Sequence, residues 1–198
     1  MARNTQPVLK RCRTLGVSPA VMGYSRTSNK NPGGQRRTKK SEYATQLTEK
    51  QKVKFVYGIQ EKQFRAYYEK ASKMSGNTGE ELLTMIERRL DNVVYRLGFA
   101  ATRREARQLV NHGHFTVNGK RVNIPSYLIK TGDVIAVCEK SASNAFFKKL
   151  KEDDVFAATP KWLDRDKNTL QGKVIASPAR EDIDFEIAEH LIVELYSK

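Results

Sequence analysis

Arginines at helical spacing are the first candidates for chemistry in this sequence. Thr102 and Glu105 form the pattern that begins a helix, and Gly113 lies where that helix would end. At about 100° per residue, the polar side chains on the side away from the apolar residues are Arg103, Arg104, Arg107, Gln108 and Asn111. Arginines in the first turn of a helix cost roughly 0.3–1 kcal/mol, because the helix dipole is positive there. These positions therefore indicate binding of a polyanion.

A β-hairpin is predicted directly after this helix. Asn118-Gly119 favours a two-residue turn, which pairs Phe115 with Val122. The basic or polar side chains on or beside the hairpin are His112, His114, Lys120 and Arg121. Two histidines without a third ligand do not predict a metal site, so we expect them to bind the polyanion or cap the local backbone. Residues 134–138 are expected to form a buried strand.

One long helix is expected before these elements. Thr78 and Glu81 again form the pattern of a helix start, and Gly98 offers an end. Apolar residues recur between them at helical spacing: Leu82, Leu83, Ile86, Leu90, Val93, Val94 and Leu97. Asp91 would then lie in the middle of the helix, and we interpret it as an i, i+4 or i, i+5 partner of neighbouring arginines.

A family resemblance begins at Arg89. The run RLDNVVYRLGFAATRREARQLVNHGHFTVNGKRVNIPS closely resembles the RNA-binding module called S-four (S4), after a protein of the small ribosomal subunit. That module also occurs in some pseudouridine synthases, bacterial tyrosyl-tRNA synthetases and stress proteins. The runs EKQKVKFVYGIQEKQFRAYYEKA and IAEHLIVELYSK resemble the ribosomal S4 family itself. The resemblance covers nearly the whole chain and favours the ribosomal family over the other carriers of the module.

The resemblance implies a binding protein. Members of this ribosomal family are primary binders of 16S ribosomal RNA: they bind its 5′ domain early and nucleate assembly of the subunit body. They contact ribosomal protein S-five near the messenger RNA entrance and influence decoding accuracy. The chain would then be cytoplasmic in the small ribosomal subunit, with a plastid ribosome as the alternative. Messenger RNA is a further possible partner, and neither a cofactor nor a homo-oligomer in the ribosome is expected.

Two enzyme interpretations and one regulatory interpretation compete with this one. Arg89-Leu90-Asp91 resembles the short motif that holds the catalytic aspartate of pseudouridine synthases, and residues 73–76 resemble part of a synthetase loop. The large catalytic sheet domain and a nucleotide-binding unit are both missing, so an enzyme or enzyme fragment is disfavoured. A free RNA-binding translational regulator stays open, because the same surface would serve it.

Composition supports a nucleic-acid partner. The 198 residues carry a net charge of +14 and have a pI near 9.8, which favours a nucleic acid or a membrane surface. No predicted helix pairs a continuous basic face with a face of Trp, Phe and Leu, so we expect no membrane partner. No apolar run approaches the roughly 20 residues that span a bilayer, and no signal peptide is evident, so a cytosolic protein with free Cys12 and Cys138 is expected. Many family members bind zinc through four cysteines in the N-terminal arm. Because only Cys12 aligns here, the chain resembles the zinc-free branch.

The N-terminal 75 residues supply further candidate RNA ligands. Residues 1–40 hold ten Lys and Arg and no acid, so we expect residues 1–41 to be an extended basic arm that orders against a partner. Residues 42–73 are expected to form helices with a break at Gly58, and Phe55, Phe64 and Tyr67 are expected in their core. The candidate RNA ligands are Arg3, Arg11, Arg13, Arg36, Arg37, Lys39, Lys40, Lys50, Lys54, Tyr57, Lys62, Arg65 and Tyr68.

The C-terminal quarter reverses the charge. Residues 151–198 hold seven bases against eleven acids, which indicates either a solvated face that keeps a basic protein soluble or a docking surface for a basic neighbour. The second is the interpretation that we test, and the resemblance implies that the neighbour is S-five. The candidate residues of this docking surface are Asp182, Asp184, Glu186 and Glu189. Strands are expected at 173–177 and 183–187, followed by a final short helix, for which a strand is the alternative. The predicted fold is α+β: the arm (1–41), a helical domain (42–85 with 178–198), and an inserted S4-type module of two helices and a small antiparallel sheet, with its extension (86–177).

Overall fold

The computed structural model describes residues 7–26, 41–152, 159–166 and 169–197. Nine α-helices lie within these residues: α1 (Val8–Leu15), α2 (Glu42–Tyr57), α3 (Glu61–Ala71), α4 (Thr78–Glu87), α5 (Leu90–Arg96), α6 (Arg103–Asn111), α7 (Glu139–Ala142), α8 (Ala145–Glu152) and α9 (Glu189–Ser197). Five strands accompany them: β1 (Phe115–Val117), β2 (Lys120–Arg121), β3 (Val134–Val137), β4 (Leu163–Asp166) and β5 (Gln171–Val174). Helices with a small antiparallel sheet confirm the predicted α+β class.

Contacts divide the chain into two compact units. The first, which we call the helical unit, comprises Met1–Leu82 and Ile183–Lys198, and the second, the module unit, comprises Leu83–Asp182. These two units are defined by contacts between residues, which is a different property from the ability of a domain to fold independently. The division into arm, helical domain and inserted module at residues 41, 85 and 177 therefore stays a prediction.

The described part of the N-terminal segment is helical, so the expectation of an extended arm is wrong for residues 8–22. A 3-10 helix at Pro19–Met22 follows α1, and the Ser18 hydroxyl caps it by accepting the Ala20 N–H. The few apolar side chains of this segment are spaced so that both short helices can bury them: Cys12, Leu15, Val17 and Met22. Apolar spacing therefore outweighs the low apolar content here.

Helices α2 and α3 confirm the predicted helices and the break at Gly58. Gly58 has a φ of 64°, a left-handed conformation that suits glycine at a helix end. Phe55, Phe64 and Tyr67 are buried, as predicted. The final segment is the predicted helix α9, where the Glu194 carboxylate accepts a hydrogen bond of 3.0 Å from the Gln46 amide of α2.

The prediction of one long helix across residues 78–97 is wrong, because the chain forms two helices there, α4 and α5, with a break at residues 88–89. Arg89 has extended backbone angles (φ −67°, ψ 138°) and forms an isolated β-bridge with Leu128. The N–H group of Leu90 donates to the Tyr127 carbonyl at 2.8 Å instead of to the preceding helix. This pairing is tertiary, and the apolar periodicity runs on across the break, so the sequence pattern did not show it.

The start of α4 also differs from the expected cap. The Asn77 side chain accepts the Gly79 N–H at 3.1 Å, and its carbonyl accepts the Glu81 N–H at 2.9 Å. Asn77 therefore caps α4, whereas the cap was predicted one residue further along the chain, at Thr78. Asparagine satisfies the free N–H groups of a first turn as well as threonine does.

The five strands form one antiparallel sheet in the order β2-β1-β3-β5-β4. The Val122 N–H donates to the Phe115 carbonyl at 3.1 Å, which confirms the predicted hairpin register. Asn118 and Gly119 have φ values of 50° and 77°, the two positive angles that a tight hairpin turn requires. The predicted strand at 134–138 is confirmed as β3.

The strands predicted near the C-terminus are only partly correct. β5 at Gln171–Val174 overlaps the first of them, but residues 183–187 form no strand. β5 pairs antiparallel with β3 and also with β4, in which Leu163 pairs with Val174. β4 has the sequence LDRD, and three charged residues in four hide an edge strand from a search for apolar runs.

Candidate nucleic-acid interface

Helix α6 is held by its predicted cap. The Thr102 hydroxyl accepts the Glu105 N–H at 3.2 Å, and the Glu105 carboxylate accepts the Ala101 N–H at 2.7 Å. Ala106 and Val110 are buried against the module core. Three of the five predicted RNA ligands on this helix are exposed: Arg104, Gln108 and Asn111. A short helix with a satisfied first turn and a buried face holds these three side chains in place.

Arg103 contradicts the prediction that it faces away from the core. Its side chain is buried, its guanidinium lies 4.3 Å from the centre of the Tyr95 ring, and its Nε donates to the Asn92 amide oxygen at 2.8 Å. Positions 103, 106 and 110 are spaced i, i+3 and i+7, so they share one helix face. The prediction placed Arg103 on the polar face by its helical angle, but this spacing places it with Ala106 and Val110 instead.

Arg107 is neither as buried as Arg103 nor as exposed as Arg104. It is mostly buried, and its guanidinium lies 3.6 Å from the Asp91 carboxylate. Asp91 is paired first with Arg89, through two hydrogen bonds of 3.0 and 2.7 Å. Asp91 therefore does pair with arginines, but with residues two before and sixteen after it instead of the predicted i+4 or i+5.

A buried charged network connects α4, α5 and α6, and the sequence reasoning missed it. The Glu87 carboxylate accepts bonds from Arg96 at 2.8 and 3.2 Å and from the Asn92 amide at 2.6 Å. Asn92 in turn accepts the bond from Arg103. Buried charges persist in proteins when they are paired and hydrogen-bonded. The signal that could have revealed the network is a charged and polar run, ERRLDN, inside an otherwise apolar helical pattern.

The hairpin is tied to the end of α6 by Arg121. Its guanidinium donates to the carbonyls of Gly113 at 2.8 Å and His112 at 3.0 Å. Gly113 has a φ of 71°, a left-handed conformation that favours glycine, and a Cβ there would lie 2.5 Å from the Arg121 Nε and displace that side chain. Arg121 was predicted to bind RNA and is exposed, but two of its N–H groups bond the backbone. Lys120, the next predicted ligand, is exposed at the same edge of the sheet.

The two predicted histidines lie side by side, with ring centres 6.0 Å apart. His112 is exposed, whereas His114 is partly buried and its Nδ1 lies 2.9 Å from the Ser141 hydroxyl. Burial, and then the charges of His112 and Arg121, lower the pKa of His114 below its usual value of 6.5. His114 is thus engaged in local packing and hydrogen bonding, and its predicted contact with RNA stays a prediction.

In the helical unit, two of the predicted lysines, Lys50 and Lys54, are paired with an acid. Glu61 is bonded by Lys54 and, at 2.9 Å, by Lys50, and it also accepts the Tyr196 hydroxyl at 2.7 Å. Burial alone would raise the pKa of Glu61, but the bonds from Lys54, Lys50 and Tyr196 outweigh it and lower the pKa to about 2. Burial and the bond to Glu61 raise the pKa of Tyr196.

The predicted aromatic ligands of this unit are also engaged within it. Tyr57, a predicted RNA ligand, is buried with its ring centre 6.0 Å from that of Phe185, so its ring is not exposed for contact with RNA. On α2 Tyr57 lies four residues after the buried Val53, so the two side chains share one helix face. Tyr68 is half-buried and stacks on Tyr196 at 4.7 Å.

The remaining predicted ligands of the helical unit are more open. Lys62 is exposed, and Arg65 is exposed while bonding Glu69 at 3.2 Å. Arg13 is exposed on α1, and Arg11 is half-buried beside Gln51, at 3.5 Å. Five predicted ligands lie outside the described residues: Arg3, Arg36, Arg37, Lys39 and Lys40.

The predicted acidic docking residues are divided between the two units. Asp182 belongs to the module unit and accepts the Ala179 N–H at 2.8 Å. Asp184 and Glu186 are exposed in the helical unit, and Glu189 is half-buried in the first turn of α9. An acid in a first turn complements the helix dipole, so Glu189 has a structural reason for its position.

Two further properties of the described residues bear on other functions. No group of three or more His, Cys, Asp or Glu side chains in those ranges is placed to hold a metal ion. Among the described helices, none is long and apolar enough to cross a membrane.

Comparison with known proteins identifies both parts of the chain. Residues 3–87 match the model of the ribosomal protein S4/S9 N-terminal domain, and residues 88–135 match that of the S4 domain. The relatives include three bacterial proteins, each named small ribosomal subunit protein uS4. They come from Caldicellulosiruptor saccharolyticus (64% identical over 208 residues), Lachnospira eligens (55% over 201) and Fusobacterium nucleatum (52% over 198), and each alignment covers all of both chains. This chain belongs to the uS4 family of small-subunit ribosomal proteins.

Proposed function

We propose that this chain is a structural constituent of the small ribosomal subunit that binds 16S ribosomal RNA with α6 and the β1–β2 hairpin. One observation carries the proposal: between Arg103 and Arg121 the only acid is Glu105, and its carboxylate is bonded to the Ala101 N–H. The exposed side chains of this surface are therefore basic or neutral. Such side chains release counterions from phosphates, which supplies much of the affinity for RNA.

The geometry favours recognition of folded RNA by its shape. Arg104 and Lys120 would contact phosphates, while Gln108 and Asn111 can bond sugar hydroxyls or base edges. Arg121 fixes the hairpin to the end of α6, so the side chains of both elements keep one arrangement. A preorganised surface loses little entropy on binding, which suits a primary binder of the 5′ domain that nucleates assembly of the subunit body.

A transcript of the 16S 5′ domain tests this proposal. The purified chain should bind it more tightly than a 23S transcript of equal length, at 0.2 M salt, where sequence-independent binding is weakened. It should also co-sediment with small-subunit particles. Equal affinity for both transcripts would contradict the assignment to 16S RNA.

The proposal also includes a cellular compartment and a protein partner. The relatives are bacterial, so the compartment would be a bacterial cytoplasm. The exposed acids Asp184 and Glu186 would face a basic neighbour, ribosomal protein S-five, near the messenger RNA entrance, where contact would influence decoding accuracy. The names of the relatives are those of a ribosomal protein, and we assign the chain no catalytic role.

Charge reversal tests the protein contact. Asp184→Lys with Glu186→Lys should leave binding to naked 16S RNA unchanged or slightly tighter, because phosphates repel acids. It should weaken incorporation of S-five into particles and change decoding error rates. Loss of RNA affinity by a folded variant would overturn this division of the surface.

A further inference from the structure

Helices α7 and α8 carry lysines that neither the sequence prediction nor the matched family models cover. The models end at residue 135, whereas α7 begins at Glu139 and α8 ends at Glu152. α8 has the sequence AFFKKLKE, and its three lysines, Lys148, Lys149 and Lys151, are exposed. Lys140 is exposed on α7, beside the exposed Glu139.

Aromatic packing fixes α8 directly to the module core. Phe147 is buried, with its ring centre 6.0 Å from that of Phe115 in β1 and 5.7 Å from that of His114. Phe146 and Leu150 pack against the same core. With these three side chains turned inward, a rotation of about 100° per residue places Lys148 opposite them and Lys149 and Lys151 on the two flanks, and all three lysines are exposed.

The same contacts place the helix pair beside the proposed RNA surface. Ser141 of α7 lies 2.9 Å from the His114 Nδ1, and the Cys138 N–H donates to the His114 carbonyl at 2.8 Å. His114 also contacts the exposed ring of His112, which follows the last residue of α6. The lysine-bearing helices are thus continuous with the turn between α6 and β1.

Helix stability alone accounts for only part of this charge. Lys149 and Lys151 lie in the last turn of α8, where a cation favourably meets the helix dipole. Lys140 likewise lies in the last turn of α7, so the same interaction applies to it, whereas Lys148 lies before the last turn of α8. A shared polyanionic partner explains all four positions.

We infer that α7 and α8 form a second phosphate-binding surface of the module, which holds the backbone of the 16S RNA bound by α6 and the hairpin. This inference rests on the proposed function. Lysine is a compact point charge without the planar fork of arginine, so this surface contacts phosphates and adds affinity without reading sequence.

The test is a triple variant of the full chain, with Lys148→Ala, Lys149→Ala and Lys151→Ala. Alanine favours helix, so α8 should stay folded, as far-ultraviolet circular dichroism would show. The slope of log K against log salt for the 16S 5′-domain transcript should become less steep by roughly 0.7–0.9 for each phosphate that the variant no longer neutralises. A matched control removes the same charge from exposed sites of the same unit, with Lys130→Ala, Lys161→Ala and Lys173→Ala, and should keep a steeper slope.

A second triple variant, with arginine at positions 148, 149 and 151, should keep the wild-type slope, since it retains the charge. Equal slopes for the alanine triple and its control overturn the inference. If the wild-type chain does not prefer the 16S transcript, the proposed function fails. If it does and the alanine triple binds equally well, only the second surface fails.

Discussion

The module unit and the helical unit place their acids differently. In the module unit Glu87 and Asp91 are buried and paired with Arg96 and Arg89. In the helical unit Glu61 and Glu69 keep 47% and 60% of their side chains exposed, and they pair with lysines and an arginine near the surface. Burying the acids leaves α6 and the hairpin basic, whereas surface acids screen the bases of α2 and α3.

The largest expected effect is on the buried acid. Glu87→Ala leaves the Arg96 guanidinium and the Asn92 amide without their carboxylate, and breaking a buried pair costs about 3–5 kcal/mol. Glu69→Ala is the matched control, because its exposed i, i+4 pair is worth about 0.3–0.5 kcal/mol. Urea unfolding followed by circular dichroism measures both. Similar decreases in stability for the two variants would remove the contrast between the units.

Two adjacent arginines should separate stability from RNA binding. Arg103→Ala removes a buried bond to Asn92 and the packing against the Tyr95 ring, so we expect a decrease of about 1.5–3 kcal/mol in the free energy of unfolding. Arg104→Ala should leave the unfolding free energy within about 0.5 kcal/mol, as for other surface changes. It should instead make the salt slope for 16S RNA less steep by roughly 0.7–0.9. The reverse pattern would show that the two side chains have been assigned the wrong way round.

The comparison also predicts which lysines matter for RNA. Arg104→Ala with Lys120→Ala should reduce the salt slope by roughly 1.4–1.8, and affinity on the order of tenfold at 0.1 M salt. Lys50→Ala with Lys54→Ala should change the slope less, because both ammonium groups are bonded to Glu61. Filter binding over a salt series distinguishes the two pairs. An equal effect from the lysine pair would mean that RNA displaces Glu61.

Local patterns were sufficient for much of this fold. The cap at Thr102, the turn at Asn118-Gly119 and the break at Gly58 depend on the chemistry of one to four residues, and all three are confirmed. The break at Arg89 was not predictable in this way, because it depends on pairing with Leu128, 39 residues later. The apolar pattern on both sides is compatible with either arrangement.

The candidate site was harder to predict than the fold. Residue type correctly marked Arg104 and Lys120 as exposed, but it misplaced Arg103 and Tyr57. For both residues the position on the helix indicates burial, whereas the polar group of the side chain suggests exposure to solvent. Arg103 is buried because Asn92 and Tyr95 of α5 supply its partners. Such contacts between helices depend on the tertiary structure, so local sequence patterns do not predict them.

The smallest expected effect is the pH dependence of the pair at Glu61. The folded pKa of Glu61 is about 2, against an ordinary value of 4.5. Because the folded pKa is the lower one, the stabilisation from Lys50, Lys54 and Tyr196 is complete above about pH 4.5 and is lost as the pH falls toward 2. Glu61→Gln removes this dependence, so the difference in unfolding free energy between wild type and variant should shrink over that range. The difference should be small at every pH, since Glu61 is half exposed and solvent screens its pairs. Glu69→Gln removes the same charge from a more exposed pair, and its difference should stay near zero throughout. Urea unfolding between pH 6 and pH 2.5 provides the measurement. A constant difference for Glu61→Gln across this range would show that the carboxylate is not held in its charged form by its partners.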